Sequence, residues 1–98
     1  IYKYFDISFY IDNIILFKLY MNEKELFQLI KTALKTKTKV DIKSNASNLD
    51  EWDSIGHLLL LSKLDQKLKG KTSKISELAS ANSVKKLLRI LKRNKLLK

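Results

Sequence analysis

From residue 21 onward the apolar positions recur at helical spacing. Asn22, with Glu25 three residues on, reads as an N-cap and capping box. Leu26, Phe27, Ile30, Ala33 and Leu34 continue at a 3.6-residue period, which predicts a first helix over residues 23–35. Over residues 36–53 the period is lost. Lys, Thr, Ser and Asn predominate there, and Val40, Ile42, Leu49 and Trp52 are isolated apolar anchors. This stretch reads as a long loop that crosses the domain and is pinned at a few points. Loops of that length tend to be functional. Asp53 and Ser54 open a second helix. Its expected inner stripe is Ile55, Leu58, Leu61, Leu64 and Leu68, widened by Leu59 and Leu60, and Gly70 is placed to end it. Ile75, Leu78 and Ala79 suggest a short third helix. Asn82 or Ser83 then caps a last helix with Val84, Leu87, Leu88 and Leu91 inward. The tail, Lys92 to Lys98, frays or continues that helix. The sum is an all-α four-helix bundle with a long loop between helices 1 and 2 and a short third helix.

Residues 1–20 have a different character. They hold seven of the nine aromatics, and Lys3, Lys18, Asp6 and Asp12 leave them with no net charge. Asp6 and Asp12 interrupt the apolar run, so it is not a convincing membrane span. It also lacks the basic start and small-residue cleavage site of a signal peptide, and a cytoplasmic location is expected. Met21, followed by Asn22-Glu23-Lys24-Glu25, looks like a natural beginning. The domain is therefore expected at residues 21–98. Residues 1–20 read as an apolar extension or as translated upstream sequence.

Ninety-eight residues make one small domain. The absence of Cys excludes a disulfide scaffold, a thiolate metal site and a cysteine nucleophile, and a single His excludes a multi-His zinc site. Two Gly and no Pro argue against a β-sandwich or barrel. Twenty Lys and Arg against ten Asp and Glu give a net charge of +10. Such a surface attracts nucleic acid, anionic lipid or acidic proteins, although Lys as a habitual surface residue accounts for it equally well.

Within this basic chain, Asp50, Glu51 and Asp53 cluster directly before Ser54. A serine at a helix start is exposed, its neighbouring backbone amides are free, and the helix dipole favours a phosphate there. Asp-Ser at a helix start is also ordinary capping. The surrounding run decides between the two. Trp52-Asp53-Ser54-Ile55-Gly56-His57-Leu58, with Leu49 before it and Asn82-Ser83-Val84 and Leu87-Leu88 later, resembles the acyl carrier protein family over about residues 22–92. The run looks like that of many discrete carriers outside bulk fatty-acid synthesis.

The resemblance implies that Ser54 is the attachment point of 4′-phosphopantetheine. A separate phosphopantetheinyl transferase would transfer the group from coenzyme A with Mg²⁺. The arm's thiol would then hold an acyl or aminoacyl group as a thioester, which supplies the sulfur that the chain lacks. It further implies that Asp53 helps present the serine, that Ile55 and Leu58 pack at the helix start, and that the exposed part of the second helix docks partners. Gly56, His57 and Leu59 are expected at that docking surface, with Trp52 as a loop anchor first and a partner contact second. The implied partners are the transferase, an acyl- or aminoacyl-loading ligase, and a downstream acyl transferase or synthase. The protein itself would be a monomer and not an enzyme. Lys63, Lys67, Lys69 and Lys71 against Asp65 depart from the acidic second helix of familiar carriers. That departure implies a dedicated partner set, as in surface-glycan, lipid or secondary-metabolite pathways.

His57 lies one helical turn after Ser54, so a Ser-His pair is conceivable. No nucleophile elbow accompanies it. The competing readings are a nucleic-acid-binding module using Lys85, Lys86, Arg89, Lys92, Arg93 and Lys95, and a membrane-surface module anchored by residues 1–20. The first lacks a helix-turn-helix signature and aromatics for base stacking, so no nucleic acid is expected.

Overall fold

The computed structural model describes residues 21–97. These form three α-helices and one 3₁₀ helix: α1 (Glu23–Leu34), α2 (Ser54–Lys67), the 3₁₀ helix (Ser76–Ser80) and α3 (Val84–Arg93). The described residues contain no strand, only two isolated bridges, Met21 with Leu97 and Asn45 with Ser83. The short third helix is thus a single 3₁₀ segment, with no side-chain cap of its own. The expected extension over residues 1–20 lies outside the described residues.

Local chemistry sets the helix starts. The capping box forms: the Glu25 amide donates to Asn22 Oδ1 at 2.8 Å, and the Asn22 amide donates to Glu25 Oε1 at 3.0 Å. Asp53 caps α2, accepting from the Gly56 amide at 2.7 Å, and Ser83 caps α3, accepting from the Lys86 amide at 3.1 Å.

The helix ends share one device. Lys35, Lys69 and Lys95 are left-handed, with φ of 55°, 55° and 60°. The next amide then reaches back five residues: Thr36 to the Lys31 carbonyl at 3.3 Å, Gly70 to Asp65 at 2.8 Å, and Leu96 to Leu91 at 2.8 Å. Gly70 was the expected stop for α2, but Lys69 makes the turn first. The tail neither frays nor continues. After Lys95 it folds back, Leu96 and Leu97 are buried, and the Met21 amide bonds the Leu96 carbonyl.

Ion pairs give the helix directions. Glu23 and Glu25, in the first turn of α1, pair with Lys92 at the end of α3 (3.1 Å) and Lys67 at the end of α2 (3.5 Å). Acid at one helix start and base at two helix ends is the arrangement the macrodipoles favour, and it sets the start of α1 beside the ends of α2 and α3. These pairs are about half exposed, so each contributes only about 0–1 kcal/mol.

The core carries far more. Leu26 and Ile30 of α1, Leu60 and Leu64 of α2, Leu68 just after it, and Leu87 and Leu91 of α3 are fully buried. Each is worth roughly 1.5–3 kcal/mol.

The long loop replaces secondary structure with side chains. Asn45 Oδ1 accepts from the Ser47 and Asn48 amides, Asn48 Oδ1 accepts from the Asn45 amide, and both side-chain amides donate to the Lys43 carbonyl. Backbone bonds from Ala46 to the Asn82 carbonyl (2.9 Å) and from Val84 to the Ser44 carbonyl (3.0 Å) fasten it to the start of α3. Val40, Leu49 and Trp52 are buried anchors as expected, whereas Ile42 is 38% exposed and anchors nothing.

The rotational phase of α2 differs from expectation. Ile55 and Leu58 are 70% and 66% exposed, and the buried row is Gly56, Leu60, Leu64 and Leu68. Positions four apart stack on one helix face, so this row is a self-consistent inner face. Gly56 makes it accessible. A Cβ there would overlap the Glu51 carbonyl oxygen and sit 3.0 Å from Leu34 Cδ2. Only glycine lets α2 approach the loop and the end of α1 so closely.

Candidate functional site

Ser54 is the first residue of α2, and Asp53 is its cap. Because Asp53 Oδ1 takes the Gly56 amide, the serine side chain is not needed for capping. Ser54 is exposed, and its hydroxyl makes no hydrogen bond among the described residues. The Ser54 and Ile55 amides also lack acceptors there, as the first amides of a helix do. Asp50, Glu51 and Asp53 are all exposed beside it.

A cleft of about 370 Å³ opens next to the serine, lined by Ala46, Trp52, Asp53, Ser54, His57 and the run Ala79, Ser80, Ala81 and Asn82. Most of these side chains are small. That is why the floor of the cleft is open, and the run of small residues was the sequence signal for it. A second, more apolar cleft of about 400 Å³ shares Ala79 with it and is lined by Leu58, Leu61, Thr72, Ile75 and Leu78 among others.

His57 is half-buried, and both ring nitrogens are engaged. Nδ1 accepts from the Trp52 indole N–H at 3.0 Å, and Nε2 lies 2.9 Å from the Leu78 carbonyl oxygen. An acceptor at Nδ1 and a carbonyl at Nε2 together require the neutral Nε2–H tautomer. The Trp52 and His57 ring centroids are 6.3 Å apart and the planes are 18° from parallel. No lone pair is left on the imidazole to take a proton from Ser54, and the geometry gives a Ser-His pair no support.

The expected partner surface is therefore redrawn. Trp52 and Gly56 are buried, and His57 is turned inward to hold the loop and the 3₁₀ helix. Leu59, 46% exposed, stays at the surface. Ile55 and Leu58, expected to pack inside, join it. The redundancy of the Leu58–Leu61 run was the available signal, because one of its rows had to face outward. Ile55, Leu58 and Leu59 make an uncharged apolar row beginning directly after Ser54. The α2 lysines lie farther along, and Lys67 is drawn to Glu25.

Among the described residues, no group of three or more His, Cys, Asp or Glu side chains is arranged to hold a metal ion, and no helix is long and apolar enough to cross a membrane. Comparisons with protein-family models, with curated proteins and with solved structures each return no match.

Proposed function

We propose that this chain is an acyl carrier protein of the discrete type, with 4′-phosphopantetheine attached to Ser54 and the helical domain serving as a four-helix carrier bundle. The observation that carries the reading is the setting of Ser54. It has a free, exposed hydroxyl at a helix start, relieved of capping by Asp53, with an open cleft on one side and an apolar row on the other.

These residues fit the prosthetic group. A phosphodiester on the Ser54 oxygen would sit at the unbonded Ser54 and Ile55 amides, where the helix dipole favours negative charge. The small residues Ala46, Ala79 and Ser80 leave room beside Ser54 for a slender arm. When bound, the group supplies the thiol that holds the cargo as a thioester. The protein's own residues do the rest. Asp53 holds the helix start rigid so that the hydroxyl projects outward. Ile55, Leu58 and Leu59 offer a partner enzyme about three apolar side chains beside the reacting end. Asp50, Glu51 and Asp53 attract a cationic partner surface to that end and turn it away from the lysine-rich remainder.

Intact mass tests the reading. The purified chain is incubated with a broad-specificity phosphopantetheinyl transferase, coenzyme A and Mg²⁺. The expected result is the mass gain of one phosphopantetheine, mapped to Ser54 and absent in Ser54→Ala. A gain that persists in Ser54→Ala, or no gain with several transferases, refutes it.

A further inference from the structure

The 3₁₀ helix is short and lightly fastened. It is five residues long and has no side-chain cap. Glu77 pairs with Arg93 of α3, but both are more than half exposed and the pair is screened by solvent. Leu78 alone is buried within it. Among the described residues a single hydrogen bond joins this segment to α2, from His57 Nε2–H to the Leu78 carbonyl. The imidazole is held for that task from behind, since Nδ1 accepts from the buried Trp52.

This bond lies where two clefts meet. His57 lines the serine-side cleft, Leu78 lines the apolar cleft, and Ala79 lines both. The bond between His57 and Leu78 therefore spans the seam between them. We propose that His57 is a positioning residue that latches the 3₁₀ helix onto α2 and keeps the serine-side cleft separate from the apolar cleft. This rests on the carrier reading for its consequence. With the latch closed, a group tethered at Ser54 meets the small, partly polar surface of Ala46, Ser80 and Asn82. With it open, the seam parts and an aliphatic chain reaches Leu61 and Ile75, the half-buried apolar lining of the second cleft. The latched protein is thus suited to short or polar carried groups, kept accessible to partner enzymes rather than withdrawn between helices.

The latch needs two properties of histidine at once: an acceptor for Trp52 and, across the ring, a donor for Leu78. Alanine supplies neither. Glutamine is long enough to return the donor.

Amide hydrogen exchange on the full apo chain tests the latch without any prosthetic group. In His57→Ala the amides of Leu78 and Ala81, which bond within the 3₁₀ segment, are expected to exchange about tenfold faster, the change that loss of one net hydrogen bond produces in local opening. Amides of α1 and α3 should keep their rates, and the Trp52 indole N–H resonance should move. His57→Gln should restore slow exchange at Leu78 and Ala81. Uniform acceleration, no acceleration, or failure of His57→Gln to rescue overturns the latch.

The consequence is read with the transferase and hexanoyl-coenzyme A as probe. Methyl resonances of Leu61 and Ile75 should respond to the hexanoyl group in His57→Ala and not in the unsubstituted protein. A response in both overturns the separation of the clefts. No mass gain at Ser54 in the unsubstituted protein would refute the carrier reading instead, and the exchange result would still decide the latch.

Discussion

Gly56 is the residue at which the least change should do the most harm. Gly56→Ala adds one methyl group at a buried helical position. In an unconstrained helix that change stabilises by roughly 1 kcal/mol. Here the new Cβ overlaps the Glu51 carbonyl oxygen and lies 3.0 Å from Leu34 Cδ2 and 3.2 Å from Asp53 Oδ1. The first neighbour is backbone and cannot rotate away. Overpacking of a tight site costs about 1–3 kcal/mol. Displacing Asp53 weakens the α2 cap, worth about 1 kcal/mol more. The net is a loss of about 2 kcal/mol. At about 4–8 °C per kcal/mol for a domain this size, the melting temperature should fall by ~8–16 °C. Thermal unfolding followed by far-ultraviolet circular dichroism measures it. Phosphopantetheinylation of Ser54 should slow at temperatures where the variant is still folded, because the helix start that presents the hydroxyl has moved. An unchanged or raised melting temperature would refute the argument. It would mean that the loop gives way freely and that the close approach at Gly56 does not set the phase of α2.

Replacing Lys35, Lys69 or Lys95 by Gly removes a left-handed non-glycine residue from a helix end. Each change should stabilise by about 0.5–1 kcal/mol in urea unfolding, after the entropy glycine adds to the unfolded chain. Leu58→Ser should leave stability within about 0.5 kcal/mol, because the side chain is 66% exposed. It should raise the transferase KM with little change in kcat. Leu60→Ala, two positions on and fully buried, should instead cost about 2–5 kcal/mol. Trp52→Phe keeps the buried ring but leaves His57 Nδ1 without its donor. A loss of about 1–3 kcal/mol in the same unfolding assay is expected. Ser54→Ala should change stability by less than about 0.5 kcal/mol, since the cap is Asp53 and not the serine.

Much of the helical part was legible in the sequence because its causes are local. Asn22 and Glu25 form their box within one turn. Leu26, Ile30, Ala33 and Leu34 repeat at a period that only one face can absorb, and Ser83 starts α3 with the side chain that caps it. The candidate serine was equally legible, since its place after an acidic cluster and at a helix start needs no tertiary contact to recognise. The orientation of α2 was not. Ile55 and Leu58 to Leu61 put apolar side chains nearly all round that helix, so periodicity admits two phases. The tertiary structure chose between them through a contact no pattern displays, the absence of a Cβ at Gly56 against the Glu51 carbonyl. That choice exposed the apolar row beside Ser54. It also turned His57 inward to join Trp52 and a carbonyl twenty-one residues away. The return of Leu96 and Leu97 to Met21 was hidden for the same reason. Capping and period are properties of neighbours in the chain. Phase, latch and closure are properties of neighbours in space, and only packing decides which side chains those are.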